Sequence, residues 1–177
     1  MSMSRRNLVL KGLSAATVGT VSAFGSAPSE TKIVEERDVS KSFVLHPVGR
    51  VEKTDKSVEL RIFAKYTNAL KGLDGFSHVF VLYWFDKNDT PEKRSILQVH
   101  PRGNKKNPLT GVFACRAPVR PNLIALSLCR IRSVKDGVIC VDKIDAFDGS
   151  PILDIKPYIP SINSIPTGTR VPDWLML

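Results

Sequence analysis

The chain has 177 residues, of which 42% are hydrophobic, enough for one domain with a real core and short for two. The formal net charge is +9; residues 1–27 contribute +3 and hold no acid, which leaves +6 on the remainder. This excess suits a polyanionic partner such as RNA, although solubility alone also accounts for it. The three cysteines lie in apolar runs without a Cys-x-x-Cys pair, which favours buried thiols over a zinc site.

The first 27 residues have the order of a twin-arginine export signal. Arg5 and Arg6 precede a weakly hydrophobic run that ends in small residues at positions 25–27. The alternative is an N-terminal extension that is helical or has no fixed structure. Lys11 and several glycines interrupt the run, so a stable membrane span is not expected. Residues 28–42 are polar and charged and are predicted to be a linker.

From residue 43 the chain alternates short apolar segments with turn signals. Helical turns are predicted near residues 66–73 and at Thr90-Pro91, where a capping residue precedes proline. Asp136-Gly137 is a strong hairpin signal, and the unbroken apolar run 79–85 predicts a central strand buried on both faces. The strands are predicted at residues 43–51, 58–64, 79–85, 96–100, 111–116, 123–133 and 138–144. Short strands at this spacing, without βαβ alternation, predict an all-β barrel or sandwich.

The stretch 144–158 concentrates three carboxylates, Asp145, Asp148 and Asp154, among turn residues. Residues 148–151 predict a turn, because glycine tolerates positive φ and proline fixes its own. The turn would direct Asp145 and Asp148 out of the end of a strand, where they could form a binding site. The alternative is a hairpin whose aspartates only accept hydrogen bonds from their own backbone.

The other polar candidates are weaker when taken singly. The three histidines have no metal-ligand spacing and follow or enter apolar strands, which favours structural roles. Polar residues Asp86–Asp89 end the 79–85 run, where the strand would hold them rigidly. Five cations in loops either converge on phosphate or are solvated charges: Arg102, Lys105, Lys106, Arg116 and Arg120.

Seven motifs lie between residues 44 and 160, and the last ones are long and specific. They are residues 73–78 (LDGFSH), 83–85 (YWF), 100–103 (HPRG), 108–114 (PLTGVFA), 116–122 (RAPVRPN), 145–151 (DAFDGSP) and 154–158 (DIKPY). Taken together, these motifs resemble the TrmO family, also called TsaA-like.

The resemblance implies a mainly β protein, with one compact barrel domain over residues 43–160, short helical turns and a Pro-rich tail at 161–177. It implies an S-adenosylmethionine-dependent methyltransferase, homodimeric, that acts on the N6 amine of threonylcarbamoyl-adenosine at tRNA position 37. The cofactor-binding residues it implies are Asp86, Lys87, Arg116, Leu126, Asp145, Ala146, Phe147 and Asp148. The candidate substrate-binding residues are Arg102, Arg120, Asn122, Lys156 and Tyr158.

The catalytic base stays open: Asp145 or Asp148 could accept the proton or bind cofactor hydroxyls. Two departures from the family pattern concern the cofactor site. Residues 50–57 lack the family's Pro-Arg-Gln segment, and Asp86 stands where a histidine is frequent.

Two hypotheses about function follow. The first is a cytoplasmic tRNA methyltransferase, which the motifs favour. The second is an exported, non-methylating relative in the periplasm that binds a small adenosine-like or anionic ligand, which the leader favours. A start codon assigned too far upstream would reconcile the leader with the first hypothesis.

Overall fold

The computed structural model describes residues 42–175, and the fold is that of the compact unit Phe43–Leu177. The predicted leader and linker lie outside the described residues, apart from Ser42. The strands are β1 (Gly49–Lys53), β2 (Val58–Ile62), β3 (His78–Trp84), β4 (Gln98–Val99), β5 (Thr110–Gly111), β6 (Ile124–Lys135), β7 (Val138–Val141) and β8 (Pro151–Pro157). The helices are α1 (Pro91–Arg94) and α2 (Pro160–Asn163), and the longest 3-10 segment is Ala64–Leu70.

Six strands close into an antiparallel barrel in the order β1-β2-β7-β6-β3-β8, and β1 closes the ring against β8. The short strands β4 and β5 pair with each other outside the barrel. The predicted mainly β barrel is therefore confirmed. Among the described residues, no helix is both long enough and apolar enough to cross a bilayer.

Alternation along the strands fills the barrel. Val51, Leu60, Ile139 and Ile152 come from four different strands, and none has any exposed surface. Their burial removes a large apolar area from water, which is the main favourable term in folding. A six-stranded barrel is narrow enough for side chains to fill its interior.

Strand β3 differs from the prediction that both its faces are buried. Val79, Val81 and Tyr83 point inward and are buried, whereas the alternating residues such as Phe80 and Leu82 are half-buried on the outside. In a barrel the outer face of a strand meets solvent unless another element covers it. The unbroken apolar run therefore predicted a central strand correctly, but the prediction that both of its faces are buried is wrong.

The predicted turns and strands beyond β3 have mixed outcomes. The hairpin at Asp136-Gly137 is confirmed: both residues have positive φ, 51° and 78°, as a two-residue turn of this hand requires. The predicted strand 111–116 is wrong, since only Thr110–Gly111 pairs and residues 112–114 form a 3-10 turn. Strand β8 was not predicted because it begins and ends on proline, Pro151 and Pro157, where the missing amides do not interrupt its middle.

Candidate functional site

The barrel wall has an opening beside the first half of β6. Strand β6 pairs with β3 over residues 124–130, but its other edge pairs with β7 only from Ile131 onward. Strand β7 has four residues and β6 has twelve, so the two cannot match along their length. Within the described part of the chain, no strand covers that edge between Ile124 and Leu128. We call this opening the wall gap.

A pocket of about 840 Å³ occupies the wall gap, and we call it the wall pocket. It combines an apolar floor with three cations, Arg116, Arg120 and Lys143, and one carboxylate, Asp145. Its lining residues are Tyr83, Phe85, Phe113, Cys115, Arg116, Arg120, Ile124, Ala125, Leu126, Ser127, Leu128, Lys143, Ile144 and Asp145.

The free edge of β6 supplies backbone hydrogen-bonding groups to this pocket. The Phe85 amide donates to the Leu123 carbonyl at 2.9 Å, and the Ile131 amide donates to Ser77 at 2.8 Å, so the odd-numbered residues of β6 bond to β3. Because successive residues of a strand alternate their direction, the amides and carbonyls of Leu126 and Leu128 point the other way, toward the pocket. A donor beside an acceptor matches the edge of a purine base.

Two long side chains hold the segment that forms the opposite rim. The buried Tyr83, which is 2% exposed, donates its hydroxyl to the Asp145 carbonyl, and the Lys53 ammonium donates to the Ile144 carbonyl at 2.9 Å. Burial raises the pKa of Tyr83, so its phenol remains a donor at neutral pH. Neither residue was among the predicted site residues, although Tyr83 begins the motif at residues 83–85. The available signal was a tyrosine on the inward face of β3, which is otherwise aliphatic.

The structure separates the two aspartates of the acidic stretch. Asp145 lines the wall pocket, whereas the Asp148 carboxylate accepts the backbone amide of Lys53 at 2.8 Å and so caps the turn. Lys53 therefore contacts this segment twice, through its amide at Asp148 and through its ammonium at the Ile144 carbonyl. The alternative of a carboxylate that bonds only its own backbone does not describe Asp148, because the amide belongs to Lys53, 95 positions away in the sequence.

The other predicted cofactor residues divide in the same way. Arg116 and Leu126 line the wall pocket. Asp86 accepts a hydrogen bond from the Ser150 hydroxyl at 3.3 Å, and Lys87 lies 3.9 Å from the same carboxylate, so both lie beside the turn that begins β8. Five of the predicted cofactor residues therefore do not line the wall pocket: Asp86, Lys87, Ala146, which is buried, Phe147, which is 64% exposed, and Asp148.

The predicted substrate residues form two groups. Arg120 lines the wall pocket, Asn122 lies two residues before the start of β6, and Arg102 lines a neighbouring pocket. Lys156 instead forms an ion pair with Asp154 at 2.7 Å, and Tyr158 packs its ring against His78 and Phe80. These last two residues line neither pocket.

The thiols and carboxylates do not assemble into a metal site among the described residues. No group of three or more His, Cys, Asp or Glu side chains has the proximity to hold an ion there, and all three cysteines are free. Burial raises the pKa of Cys129 to about 11, which keeps it a thiol.

Residues 45–164 match the family described as the tRNA-methyltransferase O (TrmO) N-terminal domain. The chain belongs to this family. A probable S-adenosyl-L-methionine-binding protein of Methanocaldococcus jannaschii is 46% identical over 116 residues, which cover 66% of this chain and 92% of that protein. The human tRNA (adenine(37)-N6)-methyltransferase is 42% identical over 107 residues, 60% of this chain and 24% of the human protein.

The solved structures of the family share the fold. TrmO from Pseudomonas aeruginosa superposes with a TM-score of 0.58 at 27% identity, covering 76% of this chain and 62% of that one. The chain thus spans less than two thirds of that bacterial TrmO and about a quarter of the human enzyme. The archaeal protein, by contrast, is matched over nearly its whole length.

Proposed function

We propose that this member of the TrmO family methylates the N6 amine of threonylcarbamoyl-adenosine at position 37 of tRNA, with S-adenosyl-L-methionine as its cofactor. The observation that carries the proposal is the wall pocket, where the free edge of β6, Arg116 and Asp145 come together. The archaeal relative, named as a probable S-adenosyl-L-methionine-binding protein, supports the cofactor. The human relative, named as an adenine(37)-N6 methyltransferase, supports the reaction.

The chemistry of the lining suits each part of this cofactor. The backbone edge at Leu126 and Leu128 complements adenine, and the apolar residues beside it complement the faces of the ring. Arg116 or Arg120 would pair with the carboxylate of the methionine part, since a guanidinium matches a carboxylate in geometry. When bound, the cofactor supplies an electrophilic methyl group, and the protein's part is to orient it.

Asp145 is the carboxylate of the wall pocket, and it has two possible tasks. The adenine amine is a poor nucleophile that gains positive charge as it attacks, so a carboxylate beside it would stabilise that charge or take the proton. The same carboxylate could accept hydrogen bonds from cofactor hydroxyls. Asp145→Asn separates the tasks: a lost proton acceptor lowers kcat at unchanged cofactor affinity, whereas a lost hydroxyl contact raises the cofactor Kd.

The cations at the pockets are proposed to hold tRNA phosphates. Arg102 and Lys143 line the pockets, as does whichever of Arg116 and Arg120 does not pair with the cofactor carboxylate. Each phosphate contact releases counterions, so tRNA binding should weaken steeply as salt rises. Affinities measured between about 50 and 200 mM salt would test this, and a salt-independent affinity would contradict it.

A homodimer is also proposed. Ile124, Leu126 and Leu128 expose 37%, 43% and 48% of their side chains on one strand, an apolar row that a second copy of the chain would cover. Because all three residues also line the wall pocket, the second copy would lie next to it. Analytical ultracentrifugation of the wild type and of Leu128→Glu tests this, since a dimer held by this row would dissociate in the variant.

Calorimetry with S-adenosyl-L-methionine, followed by methylation of tRNA that carries threonylcarbamoyl-adenosine, tests the main proposal. We expect binding by the wild type and at least tenfold weaker binding by Arg116→Ala, because a lost charged hydrogen bond is worth about 1.5–3 kcal/mol. Lys135→Ala is the matched control, since Lys135 is 83% exposed and lines neither pocket. A wild type that does not bind the cofactor at millimolar concentration would contradict the proposal.

The paired arginines Arg5 and Arg6 support the second candidate, an exported relative that binds a ligand without methylating. Cell fractionation with N-terminal sequencing of the mature protein distinguishes the two. A start after the leader in a cytoplasmic fraction favours the methyltransferase, and cleavage near residue 27 in an extracytoplasmic fraction favours export.

A further inference from the structure

A second and larger pocket, of about 1230 Å³, adjoins the first, and we call it the loop pocket. It lies between strand β4, the loop that follows it, the segment after β5 and the end of the described chain. Its lining residues are Ile96, Gln98, Val99, His100, Pro101, Arg102, Gly103, Lys105, Phe113, Ala114, Cys115, Arg116, Ala117, Pro118, Val119, Trp174 and Leu175.

The loop pocket differs from the wall pocket in its charge. Its walls are mainly apolar, and its charged lining residues are Arg102, Lys105 and Arg116, with no aspartate or glutamate among them. Two aromatic rings are available, the half-buried Trp174 and Phe113, which is 81% exposed. Flat apolar surface beside Lys105 and two arginines, in a lining without a carboxylate, suits a ligand that joins an aromatic ring to an anion, and a nucleotide has this composition.

The loop that carries Arg102 and Lys105 is held in shape by its own hydrogen bonds. The buried amide of Asn107 donates to the Pro101 carbonyl at 2.8 Å, and the His100 ring nitrogen Nδ1 pairs with the Asn107 carbonyl at 2.8 Å. Arg102 is held in the left-handed region, with φ 59°, which is uncommon for a residue other than glycine. Residues kept in such conformations by their surroundings concentrate at binding sites.

The two pockets share a boundary. Phe113, Cys115 and Arg116 line both of them, so a ligand in the loop pocket lies next to a ligand in the wall pocket. Group transfer needs its two reactants side by side, within about 3–3.5 Å at the reacting atoms. The loop pocket is the neighbouring compartment that a methyl acceptor requires.

We propose that the loop pocket binds the acceptor nucleotide of the tRNA, extruded from the anticodon loop. Trp174 and Phe113 provide stacking surfaces for the purine, and Arg102 and Lys105 attract its anionic groups, either the phosphate or the carboxylate of the threonylcarbamoyl substituent. This inference rests on the proposed methyltransferase function. It assigns Trp174, in the Pro-rich tail, to substrate recognition.

A fluorescence titration tests the binding directly. The full chain is first saturated with S-adenosylhomocysteine, so that the wall pocket is filled, and then titrated with adenosine 5′-monophosphate while tryptophan emission is recorded. We expect the nucleotide to quench the wild type and to leave Trp174→Phe almost unquenched, because the remaining Trp84 donates to Asp89 elsewhere and lines neither pocket. Equal quenching of the two proteins would overturn the proposal.

Steady-state methylation then separates recognition from stability. Trp174→Ala and Lys105→Glu should each raise the KM for tRNA about tenfold, in line with the loss of a base stack or a phosphate contact, and should leave kcat and the cofactor Kd near wild type. Lys135→Glu is the control for charge and should leave the KM unchanged. Lys105→Glu changes an exposed side chain, so it does not depend on the tail remaining folded.

Two comparisons show which anionic group Lys105 contacts, and whether a negative result contradicts this inference alone or the proposed function as well. A KM increase confined to tRNA with threonylcarbamoyl-adenosine assigns Lys105 to the carboxylate, and an equal increase with unmodified adenosine assigns it to the phosphate. If both variants methylate tRNA with the KM of the wild type, this inference is overturned, whereas the proposed function is not. A wild type that binds the cofactor but transfers no methyl group would remove the proposed function and this inference together.

Discussion

Tyr83→Phe is the sharpest test of how the barrel core supports the wall pocket. The substitution keeps the ring, which is 2% exposed, and removes the hydroxyl that donates to the Asp145 carbonyl. A typical hydrogen bond contributes about 0.5–1.5 kcal/mol net, and a buried carbonyl left without a partner would cost about 1–3 kcal/mol. Asp145 is exposed, so water can reach its backbone and the lower figure applies. We therefore expect a loss of about 1 kcal/mol in the free energy of unfolding.

The same substitution should weaken the binding of the cofactor. If the Tyr83 hydrogen bond holds the Asp145 backbone in the position that binds the cofactor, then losing about 1 kcal/mol of this stabilisation weakens cofactor binding roughly fivefold. Thermal unfolding, urea titration and calorimetry measure the two effects. Tyr66→Phe is the matched control, because the Tyr66 ring packs against the core and its hydroxyl has no hydrogen-bond partner among residues 42–175. A variant with wild-type stability and wild-type cofactor affinity would refute the supporting role.

Burial of Tyr83 also predicts a dependence on pH. Its raised pKa means that the folded chain keeps the phenolic proton at pH values where the unfolded chain has lost it. Stability therefore falls as pH rises above about 10, since the folded state then binds more protons than the unfolded state. Wild type should lose more stability than Tyr83→Phe between about pH 9.5 and 11, and parallel curves would contradict this assignment.

Three further outcomes follow from the contacts. Gly49→Ala should cost about 2 kcal/mol, since a Cβ there would lie 2.4 Å from a carbonyl oxygen of the neighbouring strand, whereas Gly75→Ala meets no atom within 4 Å and should be close to neutral in urea unfolding. A thiol reagent should modify Cys115 in the pocket well before the buried Cys129, and bound cofactor should slow the first reaction, as peptide mapping would reveal. Asp148→Ala should lower stability by about 1 kcal/mol and alter the cofactor Kd less than Asp145→Ala does.

The sequence predicted those parts of the molecule that local patterns determine. The Asp136-Gly137 turn followed from two residues that tolerate positive φ, and the capping of α1 followed from Thr90 before Pro91, where the Thr90 hydroxyl accepts the Lys93 amide. The closure of the barrel did not follow in this way. It depends on β1 meeting β8, a pairing between residues about a hundred positions apart, and the sequence pattern alone left barrel and sandwich equally open.

The candidate site shows the same limit at the level of side chains. Arg116, Leu126 and Asp145 were selected by their likeness to family motifs, and they line one pocket. Tyr83 and Lys53 were not selected, because each acts on a backbone carbonyl more than sixty positions away. A motif identifies residues that neighbour each other in sequence, whereas these two contacts exist only once β1 and β3 are in the barrel.

The wall gap raises a question of stability that leads to a last prediction. An uncovered strand edge offers free amides and carbonyls to any other chain, and proteins usually protect such edges. Here the backbone edge lies at Leu126 and Leu128 in the wall pocket, so a bound cofactor is the partner expected to cover it.

Amide hydrogen exchange measures, residue by residue, how well the free edge of β6 is protected. Without ligand, the amides of Leu126 and Leu128 should exchange fast, while those of Ala125 and Ser127, which bond to β3, exchange slowly. Saturating S-adenosyl-L-methionine should slow the first pair selectively and, at a hundred times its Kd, raise the free energy of unfolding by about 2.7 kcal/mol. If the cofactor binds and the two leucine amides still exchange as in the free protein, then the edge of β6 does not recognise the adenine, and the cofactor occupies another part of the barrel.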